Sequence, residues 1–370
     1  MSSRISRRDF LKLSALSGAV LPWSAFGAPG AISRKEKALL FPAETPGHKP
    51  LPAEDIYDLQ PLKIVRAAIR KDEVRRAPSL DAEVVMYRYR DELVKVFDEF
   101  IADGPAHNPR WYRVIGGFMH TAHLAPVDTK FNPVINDIRP EGQVFRVTVP
   151  YTQSWYFNKL DGWQPMYRLY YNSNHWVVRL DEGPTGQPMY VIVDDLLHVE
   201  YFVEPTHLQL ILDEEFAPIS PDVLDKSIEV SLAKQTVTCF ENGEIVFHTN
   251  VSTGIPGLVV PTNGIPTATP QGDFNIQIKT PVRHMGDGQL TSDIFAYELP
   301  GVTWTSFFTE TGVAFHGTYW HDNYGGRMSH GCVNMRTEEA QWLYRWTMPV
   351  FPNEPGKWHV TGYGTRIKVI

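Results

Sequence analysis

Two short stretches toward the C-terminus hold side chains that could do nucleophilic chemistry together. The first is His316-Gly317-Thr318-Tyr319-Trp320, and the second, with twelve residues between His316 and its first member, is Ser329-His330-Gly331-Cys332-Val333-Asn334-Met335-Arg336. A thiol attacks only as thiolate, and a cysteine titrates near about 8.5, so a partner must lower that value or take the proton. An imidazole can do both at neutral pH. His316 and His330 both qualify by type. His330 lies two residues from Cys332, on the same face of an extended segment. His316 closes the apolar run Val313-Ala314-Phe315, where a rigid strand could aim it across a cleft. Gly331 lets the chain turn sharply and a substrate come close, and N–H groups around Gly331 and Cys332 could receive a developing oxyanion. The planar fork of Arg336 suits a carboxylate. Zinc is the competing chemistry for His316, His330 and Cys332, but its fourth ligand would have to be His284 or His321.

The elements that must carry these residues are mostly strands. From Lys226 the run KSIEVSLAKQTVTCFENGEIVF alternates apolar and polar residues, and Glu241-Asn242-Gly243 supplies a hairpin turn. Cys239 falls inside this alternation and reads as core. TPQGDFNIQIKT and TGVAFHGT give further strands. The spacing predicts one helix, Thr337 to Thr347, capped by Thr337, with Glu338 and Glu339 at its positive end and Met348-Pro349 stopping it. Ala340, Leu343, Tyr344 and Thr347 share its inner face. Residues 78–216 are β-branched, aromatic and broken by Gly, Pro and Asn, which predicts a small all-β region. Within it Trp111, Tyr112 and Trp163 are candidates for a peptide groove, with core packing the simpler role. Residues 217–224 read as a linker. Leu62 to Arg76 has the spacing of a short surface helix, and it closes a Pro-rich, charged linker region, 28–77.

Bulk properties narrow the function. Hydrophobic residues make up 43% of the chain and charged ones 21%, as in a soluble globular protein. The net charge is −7, which argues against a general nucleic-acid binder. Two cysteines are too few for a disulfide scaffold. Residues 1–27 join a basic start to a short apolar stretch and small residues at Ala25 and Gly27, the form of a cleavable export signal. Ser6-Arg7-Arg8-Asp9-Phe10-Leu11-Lys12 resembles the twin-arginine signal, which implies export to the periplasm or another extracytoplasmic site.

His316, a short loop, and then Ser329-His330-Gly331-Cys332-Val333-Asn334 resemble the signature of the L,D-transpeptidase (YkuD-type) catalytic domain. The upstream run IPTATPQG is similar to that family's Thr-Pro-x-Gly turn, and the resemblance covers roughly residues 225–370. It implies a mainly β fold, an L,D-transpeptidase-type β-sandwich with one short helix after the nucleophile. RWYRVIGGFMHTAHLAPV resembles bacterial SH3-like domains, so a small all-β region of that kind is expected ahead of it. By position, the resemblance makes Cys332 the nucleophile and His316 its general base, with the Gly317 carbonyl orienting the ring. His330 joins the catalytic set, and with Ser329 it supports the loop and the oxyanion site. Asn334 braces the motif, and Ser329, Gly331, Asn334 and Arg336 are the implied substrate-binding residues. His284, Trp304, Phe307 and Phe308 fall where the family has its lid and cleft wall.

The implied partners are peptidoglycan stem peptides, with wall contact through the β-rich region, and neither metal nor cofactor is required. The implied reaction releases D-alanine from a tetrapeptide stem and passes the acyl group to an amine, making a 3→3 cross-link. Passing it to water instead would make an L,D-carboxypeptidase. A non-catalytic wall-binding protein is a further alternative. A protease of ordinary L-peptides is disfavoured because no Cys-Gly-Ser-Cys-Trp segment occurs.

Overall fold

The computed structural model describes residues 60–257 and 267–370. The export-signal reading of 1–27 and the tether ahead of residue 60 lie outside the described residues. Three β units follow one another along the described chain, and none of its helices is long and apolar enough to cross a membrane.

The first unit is a seven-stranded sheet. Its strands are β1 (Lys63–Ala67), β2 (Lys71–Arg75), β3 (Val84–Tyr89), β4 (Leu93–Ile101), β5 (Arg110–Val114), β6 (Gly117–His120) and β7 (Leu124–Val127). The order is β3-β2-β6-β5-β4-β1-β7. The helix expected over Leu62–Arg76 is instead the pair β1 and β2. Val65 and Ala67 alternate into the core of this sheet, and Val74 joins them. Pairing of β1 with both β4 and β7 satisfies its backbone, and this outweighs a weak helical spacing. The β-rich part therefore begins near residue 63, inside the segment expected to be linker.

The second unit is another seven-stranded sheet. It holds β8 (Gln143–Val147), β9 (Tyr151–Asn158), β10 (Gly162–Tyr170), β11 (Asn174–Glu182), β12 (Pro188–Val193), β13 (Glu200–Val203) and β14 (Leu208–Leu210), in the order β10-β9-β13-β12-β11-β8-β14. Region 78–216 thus spans most of one sheet and all of a second. Trp111 and Tyr112 have no exposed surface, so they are core and line no groove. Trp163 is half-buried, edge-on to Phe202.

The third unit is a sandwich of two five-stranded sheets. One holds β15 (Lys226–Ser231), β16 (Thr236–Glu241), β17 (Glu244–Asn250), β18 (Gly272–Asn275) and β24 (Arg366–Val369), in the order β17-β16-β15-β24-β18. The other holds β19 (Ile278–Gly286), β20 (Glu298–Phe307), β21 (Ala314–Gly317), β22 (Val333–Met335) and β23 (Val360–Thr361), in the order β22-β21-β20-β19-β23. The hairpin between β16 and β17 turns at Asn242 and Gly243, both with positive φ, as a two-residue turn of right-handed strands requires.

One core fills the sandwich, and Cys239 lies in it with no exposed surface. The helix α1 (Thr337–Trp346) closes that core with Ala340, Leu343 and Tyr344. Its cap residue is Arg336, whose side chain makes no capping bond, and Thr337 is its first residue. Two buried lysines bind the carbonyls at its far end: Lys226 Nζ donates to Trp346 O and Lys279 Nζ to Thr347 O. They give hydrogen bonds to carbonyls that the helix end leaves unpaired, and burial holds Lys279 down to about 7. Segment 217–224 is docked, with Ile219 packed on the core and its N–H donating to Arg345 O.

Candidate active site

The parallel pair β21 and β22 sets the geometry. Phe315 lies beside Val333, His316 beside Asn334 and Gly317 beside Met335. Cys332 directly precedes β22, so it stands diagonally across from His316 at the mouth of this pair. Parallel strands need a crossover, and here it is the stretch from Thr318 to Gly331. His316 is 2% exposed, whereas Cys332 is only half-buried and its sulfur reaches the surface beside Gly312 O, at 3.8 Å.

The His316 ring is fixed from one side. Its Nδ1–H donates to Gly317 O at 3.1 Å, which leaves the lone pair on Nε2. Burial pushes the ring down to about 4, with the Gly317 bond opposing it. His316 is therefore a neutral proton acceptor throughout the physiological range. The Trp320 ring lies 5.8 Å from it.

The Cys332 loop is braced at almost every residue. Ser329 Oγ donates to Cys332 O and accepts the Gly331 N–H at 3.2 Å. Gly331 has φ 120°, a conformation that favours glycine. Its carbonyl accepts from Thr269 Oγ1 at 2.7 Å, and that hydroxyl accepts from Gly254 N at 2.8 Å. Ser252 and Asn334 exchange both backbone bonds, and Ile255 N–H donates to Ser329 O. Segment 252–255 thus works as an added strand against the loop.

Asn334 is buried, and its side-chain amide meets His321 Nε2 at 2.8 Å. His321 Nδ1 accepts from Asn323 N–H, and burial pushes this ring down to about 3, so it is neutral with its proton on Nε2. The Asn334 amide must then turn its oxygen toward His321. His330 is half-buried, its ring 5.4 Å from that of Tyr297. Arg336 donates to Glu339 and lies over the Tyr324 ring at 4.5 Å.

The residues read as lid and cleft wall fare differently. Trp304 and Phe308 are fully buried in the sandwich core. Phe307 is half-buried under the Arg283 guanidinium. His284 is buried between Asp194 at 2.6 Å and Glu298 at 2.7 Å, and so ties the second unit to the third. Burial opposes its charge, but the two carboxylates prevail and raise it to about 9.

Sequence reasoning missed three contributors. Thr269 stood inside IPTATPQG, where the turn was noted but its hydroxyl was not. His321 was weighed only as a metal ligand. Gly254 carried no local signal, because its need for a bare backbone comes from chain distant in sequence. A Cβ there would stand 2.2 Å from Thr267 O and 2.8 Å from Gly331 Cα. Gly254→Ala is therefore expected to push the Cys332 loop aside, costing about 1–3 kcal/mol and slowing modification of the thiol. Thermal melts and an alkylation time course would show both, and an unchanged loop would leave both unmoved.

Residues 225–369 match the YkuD family model, the L,D-transpeptidase catalytic domain. Among solved structures, an L,D-transpeptidase from Mycobacterium smegmatis is 22% identical over 47% of this chain and 73% of its own, with a TM-score of 0.30. One from Stackebrandtia nassauensis is 23% identical over 43% and 60%, with a TM-score of 0.26. The C442S mutant of an Enterococcus faecium L,D-transpeptidase is 25% identical over 40% and 51%, with a TM-score of 0.28. The last two are thus spanned over less than two thirds of their length, and superpositions this loose add nothing to the family match. Comparison with curated protein sequences gives no match. On the family match, residues 225–369 are an L,D-transpeptidase catalytic domain of the YkuD family.

Proposed function

We propose that this protein is an exported L,D-transpeptidase that forms a Cys332 thioester with a peptidoglycan stem tetrapeptide. The observation that carries this reading is the strand register that puts a half-buried Cys332, one residue ahead of Val333, diagonal to a neutral His316 whose lone pair lies on Nε2. Cys332 Sγ attacks the carbonyl carbon ahead of the terminal D-alanine, and its proton passes to His316 Nε2. The oxyanion is received at the backbone N–H of Cys332, since the Gly331 N–H serves Ser329. The C–N bond then breaks, His316 returns the proton to the departing D-alanine amine, and a thioester remains. An acceptor amine attacks that thioester and gives a proton to His316, the C–S bond breaks, and His316 passes that proton to the departing sulfur, restoring the thiol. The product is a 3→3 cross-link. Arg336 contacts the substrate in this reading, and Ser329, His330, Gly331 and Asn334 hold the loop. Residues 1–27 would direct twin-arginine export to the wall, where the β-rich units could make contact.

The test is incubation of the mature chain with tetrapeptide muropeptides. D-alanine release with cross-linked dimers is expected, together with a carbapenem adduct mapped to Cys332 by mass spectrometry. Tripeptide monomers alone would make the enzyme an L,D-carboxypeptidase. Absence of both turnover and adduct would remove the reading and leave a wall-binding protein.

A further inference from the structure

The crossover between His316 and Ser329 has no regular structure of its own, so its shape depends on what holds it. The first β unit supplies two holds. At the first, Arg110 on β5 donates to the Asp322 carboxylate at 2.8 Å, with the two side chains 17% and 8% exposed. The Asp322 N–H donates to Ala122 O, and Asn108 Nδ2 reaches Asn323 Oδ1 at 3.1 Å. At the second, Arg66 on β1 is 1% exposed. It donates to Asp91 at 2.9 Å and to Tyr319 O at 3.1 Å.

Each hold leads on toward the chemistry. Asn323 N–H sets the His321 tautomer, and His321 meets Asn334, which lies opposite His316 and two residues from Cys332. Tyr319 leads directly to Trp320, whose ring lies against His316.

We infer that Arg110 and Arg66 of the first β unit are positioning residues of the active site, holding the crossover so that His316 and Cys332 keep their alignment. This rests on the transpeptidase reading, which makes those two the reacting pair. A 1 Å displacement of such a pair is costly even when its cause lies far from the chemistry.

The readout that separates the inference from that reading is alkylation of Cys332 by iodoacetamide across pH, followed by peptide mass mapping in the full mature chain. It needs no substrate, so it works whether or not the protein turns over muropeptides. Arg110→Ala is expected to slow alkylation at pH 7 at least threefold and to move the midpoint of the profile, while Arg110→Lys recovers most of the rate. Carbapenem acylation should fall tenfold or more in its maximum rate with little change in half-saturating concentration. Should Arg110→Ala fail to fold, Asp322→Asn removes the same ion pair at constant volume and carries the same expectation. Superimposable alkylation profiles for folded variant and parent would overturn the inference. A parent that alkylates normally but neither releases D-alanine nor acylates would remove only the transpeptidase reading.

Discussion

Cys332→Ala is expected to abolish both D-alanine release and adduct formation, whereas His316→Ala retains a slow adduct, formed about 10²–10⁴-fold more slowly than in the parent. The two losses differ because the residues do different work. Without the sulfur no acyl-enzyme can form, while without the imidazole the thiol can still ionise to bulk water, rarely at neutral pH. The acid limb of the His316 contribution should also sit unusually low. Burial holds that ring down to about 4, so it is deprotonated and able to accept a proton well below the ordinary histidine range. Intact-mass kinetics from pH 4 to 8 would check both statements. A His316→Ala variant acylating at the parental rate, or an acid limb near 6.5, would mean that this ring is not the base.

Much of this site was legible in the chain, for a definite reason. His316 and the run from Ser329 to Arg336 are contiguous motifs, and Thr337–Trp346 shows its helical period locally, burying Ala340, Leu343 and Tyr344 as the spacing requires. The Asn242-Gly243 turn was readable because only a few residue types accept two successive positive φ values. What was not legible depends on distant chain. Whether Lys63–Ala67 becomes helix or strand is decided by its two neighbours in the sheet, thirty and sixty residues away. Trp304 looked like a cleft residue because its flanks resemble a wall, yet the strand turns it fully into the core, where Phe216 and Tyr344 pack on it. The holds on the crossover were invisible for the same reason: Arg66 and Arg110 look like ordinary charged strand residues until the fold brings Tyr319 and Asp322 to them.

Three buried histidines should give the protein a stability profile that falls away on the acid side of pH 6.5. His175, His316 and His321 are 1–3% exposed, and burial holds them down to about 3, 4 and 3. An unfolded histidine takes up its proton near about 6.5, so between pH 6.5 and 4 the unfolded chain binds more protons than the folded one. Acidification through that window therefore removes stability, at about 1.4 kcal/mol per pH unit for each ring and roughly 4 for the three. His284 acts in the opposite direction. Held up to about 9 by Asp194 and Glu298, it keeps its proton in the folded state after the unfolded chain has lost it. Its contribution is complete below pH 6.5 and is lost as pH rises through 9, at about 1.4 kcal/mol per unit. Melting temperature measured from pH 4.5 to 9 should accordingly fall steeply below pH 6.5 and change little above it, because buried Lys279, held down to about 7, gains stability with rising pH over the range where His284 loses it. The window above 4.5 keeps most carboxylates ionised, so the acid slope there reports histidines. His284→Gln removes one side of that balance, so stability should then rise with pH above 7 while the acid side is unchanged. A melting temperature level between pH 6.5 and 4.5 would mean that these rings take protons within the fold, and His316 would then be a cation, unfit to accept the thiol proton, at mildly acidic pH.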